Sequence, residues 1–172
     1  MASLRKGKCY RLPSRGYTRK SKYKKKGFIK SIPASKVVRY HMGDIKKEFP
    51  SRVKLISKEK FQIRHNAIES CRMMLNKHFQ RKFGPKGYHF HINVVPHQVL
   101  RENKMLTGAG ADRMQTGMAH SFGKAMGVAA IVKVGSVIFE IDVEKESVED
   151  AKTIMKMAKS RIAGRTGIEI SS

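Results

Sequence analysis

The sequence predicts an α+β fold, a two-layer sandwich of mostly antiparallel sheet and two main helices, with a basic N-terminal extension and one long internal loop. Three observations carry the prediction. Apolar and polar residues alternate with period two in 52–56, 88–95 and 137–143, as in strands with one buried face. Two stretches, 57–83 and 147–162, place apolar residues at helical spacing instead. Strands and helices come in mixed order, which favours a sheet with helices packed on it.

Taken in order, Lys36–Met42 has strand composition and is closed by Gly43-Asp44. Phe49-Pro50-Ser51 is a turn, and Arg52–Ile56 alternates as an edge strand does. Ser57 offers an N-cap for a helix running to Phe83, stopped by Gly84-Pro85. Its predicted inner face is Phe61, Ile68, Cys71, Leu75 and Phe79; Lys58, Lys60, Arg64, Arg72 and Lys77 lie outside. Tyr88–Val95 alternates cleanly, with Tyr88, Phe90, Ile92 and Val94 on one face and His89 and His91 on the other. A His-x-His pair can begin a metal site, but no third ligand has suitable spacing, so no metal and no cofactor is expected. Pro96 ends that strand, and Val99–Arg101 leads into the loop. Val128–Val134 and Val137–Val143 are expected to pair as antiparallel strands through Gly135-Ser136. Ser147 and Asp150 have the spacing of a capping box. The helix it would open carries Val148, Ala151, Ile154, Met155, Ala158 and Ile162 as one stripe, with Gly164 as its C-cap. Residues 167–170 add a last strand.

Charge narrows the partner. Thirty-seven Lys and Arg face thirteen Asp and Glu, a formal charge of +24 that a polyanion must neutralise. Residues 1–43 hold fourteen Lys and Arg and no acid. The cations Arg5, Lys6, Lys8, Arg11, Arg15, Arg19, Lys20, Lys22, Lys24, Lys25 and Lys26 are interleaved with Tyr10, Tyr17, Tyr23 and Phe28. Such a stretch buries too little apolar surface to fold alone and orders on its partner. Its cations suit phosphates and its rings suit unpaired bases. Residues 1–35 are therefore set apart as a basic extension from a single domain at 36–172. The C-terminal end, 140–172, balances seven acids against six bases and is not expected to face the polyanion. No run of 18 apolar residues and no secretory leader is present, and Cys9 and Cys71 suggest neither a disulfide framework nor a metal quartet. A cytoplasmic protein with no membrane partner is expected.

Residues 103–127 hold five glycines, no proline and no sustained period, the mark of a functional loop. Lys104, Arg113 and Lys124 outnumber Asp112, with Gln115 and His120 as further donors. A phosphate-binding loop is excluded, since five residues rather than four separate Gly117 from Gly123 and Ala125 stands where a hydroxyl is needed. Ser121 lacks a nucleophile elbow, and no carboxylate pair is placed for acid–base work. Neither an enzyme nor a small-molecule substrate is expected.

The segment Asn103-Lys-Met-Leu-Thr-Gly-Ala-Gly-Ala-Asp-Arg-Met-Gln-Thr-Gly-Met118, preceded by Val94-Val-Pro-His-Gln-Val-Leu-Arg101, resembles the signature of a ribosomal protein family. With Cys-Tyr-Arg (9–11) and Tyr-Thr-Arg (17–19), the similarity to the universal large-subunit L-sixteen family covers essentially the whole chain, in the archaeal and eukaryotic form called L-ten-e. Overall length favours an archaeal source. The resemblance implies a fold of the α/β-hammerhead type, binding to large-subunit ribosomal RNA, neighbouring ribosomal proteins, and a loop near aminoacyl-site tRNA and the peptidyl-transferase centre. Carried onto this chain, Lys104, Ala111, Asp112, Arg113, Gln115, Gly117, Met118, Phe122, Gly123 and Lys124 would occupy the loop tip. Two places depart from the family pattern: Ala119-His120-Ser121 replaces Arg-Gly-Ala, and Ala125 replaces Pro. An extra-ribosomal RNA-binding or regulatory protein using the same basic extension is the alternative.

Overall fold

A computed structural model describes residues 5–13, 29, 31–103, 108–109 and 123–171. Among these residues eight strands and two α-helices run β1 (His41–Gly43), β2 (Ser51–Ser57), β3 (Phe61–Arg64), α1 (His65–Phe83), β4 (Tyr88–Ile92), β5 (Gln98–Glu102), β6 (Lys124–Val132), β7 (Val137–Val143), α2 (Val148–Met157) and β8 (Thr166–Ser171). They form a five-stranded sheet in the order β1-β4-β7-β2-β8 and a three-stranded sheet in the order β3-β6-β5. Every pairing is antiparallel. The α+β class and the mostly antiparallel sheet stand as expected.

The core forms where the inward faces meet. β4 contributes Tyr88, Phe90 and Ile92, β7 Phe139, Ile141 and Val143, and β2 Val53 and Leu55. Against them α1 sets Ile68, Cys71, Leu75 and Phe79 at helical spacing, and α2 sets Ala151, Ile154 and Met155. Phe79 is the hub, its ring centroid 5.6 Å from Tyr88 and 5.4 Å from Phe90, with Phe90 in turn 5.7 Å from Phe139. Truncating such a fully buried ring to alanine costs about 3–5 kcal/mol.

Several expected elements differ in detail. The first helix begins at His65, because Ser57 closes the β2 ladder opposite Thr166. The Ser57 hydroxyl donates to the Glu59 carbonyl at 2.6 Å in the turn that follows. Phe61 is buried as expected, but from strand β3. Lys58 and Lys60 accordingly belong to the β2–β3 turn, and Arg64 stands at the N-cap of α1. β2 lies between β7 and β8 and is not an edge; its alternation reports one open face, not an open side. β1 shrinks to three residues. The expected hairpin across Gly135-Ser136 does not form, since β6 and β7 belong to different sheets. The linker between them is pinned to the end of β2, with Gly135 N–H donating to the Ser57 carbonyl at 2.8 Å and Ser57 N–H to the Ser136 carbonyl at 3.0 Å. β6 also starts at Lys124, so the last residues read as loop are strand.

The capping box is absent: Ser147 closes a one-turn 3-10 helix and makes no side-chain cap bond. Glu149 and Asp150 serve the first turn of α2 through the helix dipole instead. Gly164 is required by packing and not by a left-handed cap, because a Cβ there would sit 2.4 Å from the Phe61 ring. Gly84 does terminate α1, its N–H donating to the Gln80 carbonyl at 3.1 Å. Among the described residues no helix is long and apolar enough to cross a membrane.

Candidate nucleic-acid interface

The three-stranded sheet is where the two segments richest in glycine and cations attach. β5 ends at Glu102 and β6 begins at Lys124, and these two residues are direct cross-strand partners. The intervening segment therefore leaves and re-joins the fold at one point. Lys124 is exposed on β6; Lys104, Asp112, Arg113, Gln115 and His120 lie outside the described residues.

The start of the basic extension is docked beside that same point. Arg5 Nε donates to Glu102 Oε1 at 2.6 Å and its Nη2 to the Asn103 carbonyl at 3.3 Å. The Glu102 carboxylate raises the Arg5 pKa further. Arg64 Nη1 donates to the Arg5 carbonyl at 2.9 Å, and its guanidinium lies 5.6 Å from the centroid of the Tyr10 ring, a cation–π contact. Burial pushes the Tyr10 hydroxyl pKa up. Further on, Gln62 N–H donates to the Arg11 carbonyl at 2.9 Å. Arg11 Nη2 meets Glu59 Oε1 at 2.6 Å, and Glu59 also accepts the Arg165 N–H at 2.8 Å. The Arg11 hydrogen bond and then that N–H hold the Glu59 carboxyl below its ordinary range.

The far end of the extension is fastened too. Lys36 N–H donates to His65 Nδ1 at 3.3 Å, and Val37 is buried in the core. Burial, then Lys36 and Arg64, push the His65 pKa down, so the ring stays neutral and able to accept. The chain is thus tied to the domain on both sides of residues 14–35, called the strap below. Closing a chain in advance lowers the ordering cost paid on binding. Arg15, Tyr17, Arg19, Lys20, Lys22, Tyr23, Lys24, Lys25 and Lys26 lie on that strap, outside the described residues. Lys6 and Lys8 are exposed, whereas Arg5 and Arg11 already have carboxylate partners. On α1, Lys77, Arg81 and Lys82 are exposed, while Arg72 is held by Glu69.

Sequence spacing gave no sign of the Arg5–Glu102 joint, whose partners are 97 residues apart. It also missed His41. On the outward face of the five-stranded sheet His41 pairs directly with His91, and His91 with Glu140; one row along, His89 pairs with Asp142 and Asp142 with Arg52. His41 and His91 stack with centroids 4.1 Å apart and planes 8° from parallel. Imidazole lone pairs lie in the ring plane, so stacked rings aim them side by side and not at a common point. Among the described residues no trio of His, Cys, Asp or Glu is arranged to hold a metal ion. Cys71 is buried, its thiol pushed up to about 12 by desolvation, and is unsuited to nucleophilic or ligand chemistry.

Fold and charge together define a class: a small α+β module that roots a cationic strap and a glycine-rich excursion on one sheet. Within that class, the sequence profile of the family described as ribosomal protein L16p/L10e matches residues 18–169, and the chain belongs to that family. It is 46% identical over 160 residues to the large ribosomal subunit protein uL16 of Methanococcus maripaludis (strain C7), covering 93% of this chain and 90% of the relative. The uL16 protein of Methanococcus aeolicus is 45% identical over 168 residues, covering 98% and 94%. That of Sulfolobus acidocaldarius is 40% identical over 172 residues, with the same coverage.

Proposed function

We propose that this chain is a structural constituent of the large ribosomal subunit, holding large-subunit ribosomal RNA and not catalysing a reaction. The strap cations Arg15, Arg19, Lys20, Lys22 and Lys24–Lys26, with Lys6 and Lys8, contact phosphates, which positions the protein without reading sequence. Tyr17 and Tyr23 stack on unpaired bases, and specificity comes from the shape of the folded RNA. The 103–127 excursion, through Lys104, Asp112, Arg113, Gln115, His120 and Lys124, helps seat aminoacyl-site tRNA near the peptidyl-transferase centre. Neighbouring ribosomal proteins pack on the near-neutral C-terminal side. The observation that supports this most is the docking of the start of the basic extension beside the base of the excursion, through Arg5 and Glu102. The test is sedimentation of a cell extract at high salt: the chain should travel with large subunits at one copy each. A predominantly free pool would favour an extra-ribosomal RNA-binding role and contradict the proposal.

A further inference from the structure

We propose that His41 is a preorganised stacking platform for an unpaired base of ribosomal RNA at the open edge of the five-stranded sheet, an inference that rests on the RNA-binding reading above. Paired strands lie about 4.8 Å apart in the plane of a sheet. The His41 and His91 rings, on directly paired residues, stack along that same direction at 4.1 Å. Among the described residues β1 is the outermost strand, so the second face of His41 looks out past the edge of the sheet. His41 is exposed there, and it ends a stack that a flat aromatic ligand would extend.

A chain of hydrogen bonds fixes the ring. Arg52 Nε donates to Asp142 Oδ1 at 2.6 Å, Asp142 Oδ2 holds His89 Nδ1 at 3.1 Å, and His89 Nε2 meets His41 Nδ1 at 3.2 Å. With the Nδ1 hydrogen of His89 given to Asp142, its Nε2 accepts from His41. Arg52 also binds Glu140 at 2.9 Å, so both carboxylates beside the stack have a counter-charge. Gly43 keeps the strand close, since a Cβ there would meet the Tyr88 carbonyl oxygen at 2.1 Å. A ring already held in place loses little freedom when a base lands on it. The surroundings favour a nucleotide over an acidic peptide or a second copy of the chain. Arg39 and Lys46 are exposed and precede and follow β1 in sequence, cations available to the phosphates that flank a stacked base. The one carboxylate between them in sequence, Asp44, accepts the Lys46 N–H at 3.0 Å.

The experiment uses the full chain and a single-stranded RNA dodecamer of uridines with one central adenosine, at about 0.5 M salt to suppress strap contacts. The ring protons of His41 should move upfield on titration. His41→Ala should weaken binding by roughly five- to a hundred-fold, as expected for loss of one stacked base. His41→Phe, which keeps a flat ring, should bind within about three-fold of wild type. RNA binding with unmoved His41 signals and an unaffected H41A variant overturns the stacking site and leaves the ribosomal reading standing. Equal losses in H41A and H41F, with β1 amide protection intact in both, also overturn it, because they assign the contact to a ring nitrogen. Absence of RNA binding at any ionic strength removes the ribosomal reading along with the site.

Discussion

Because Glu102 and Lys124 are direct partners across β5 and β6, the segment between them can be cut to a turn without moving either strand. Deleting residues 105–122 leaves Asn103, Lys104 and Gly123 to close the hairpin. Gly123 already has φ +92°, the conformation a three-residue hairpin needs at its last position. Shortening the closed loop from about 21 residues to three lowers its closure entropy by about 1.7 kcal/mol, from (3/2)RT ln 7. For a domain of this size that corresponds to a rise in Tm of roughly 3–7 °C. Thermal unfolding followed by circular dichroism measures it, and large subunits rebuilt with the shortened protein should seat aminoacyl-site tRNA poorly. A fall in Tm of more than about 5 °C, or loss of cooperative unfolding, would refute the reasoning, because the excursion would then carry core packing.

Other expectations follow from the same geometry. Replacing Lys24, Lys25 and Lys26 with glutamine should make the slope of log K against log salt shallower by about 2–3 in RNA binding, one released counterion per lost phosphate contact; an unchanged slope would remove those lysines from the interface. Glu59 has its folded pKa below the unfolded value, so its stabilisation is complete above the ordinary carboxylate range and lost as pH falls through the folded value. Urea midpoints between about pH 5 and pH 3 should therefore fall less steeply in Glu59→Gln than in wild type; parallel curves would mean the pair with Arg11 does not form in solution. Thiol labelling should modify exposed Cys9 in the native protein and reach Cys71 only on unfolding, with Cys71 protected at least about a thousand-fold.

Much of this fold could be read from local pattern. The stripe Ile68, Cys71, Leu75, Phe79 and the alternation of Tyr88, Phe90 and Ile92 are periodicities set by burial, and each appears on the face expected. What failed was the distinction between continuing and changing elements. Phe61 is apolar at a spacing that suits either a helix or a strand, and its true role depends on pairing with Val132, 71 residues away. Val128–Val134 and Val137–Val143 satisfy every local condition for a hairpin. The linker's bonds to Ser57 send them to separate sheets, and no local rule contains Ser57. The interface divides the same way. Cation density in the extension was visible at once, but the docking of Arg5 and Arg11 on Glu102 and Glu59 was not. Likewise His89 and His91 were visible as a pair, whereas His41 joins them only through the β1–β4 register.

The most direct test of the account is protein–RNA crosslinking within intact large subunits carrying aminoacyl-site tRNA, mapped to single residues. Adducts to ribosomal RNA are expected from residues 15–26, and adducts to the tRNA from residues 104–122, with few from 140–172. Crosslinks confined to the C-terminal side, or a strap and excursion that join no RNA at all, would contradict it.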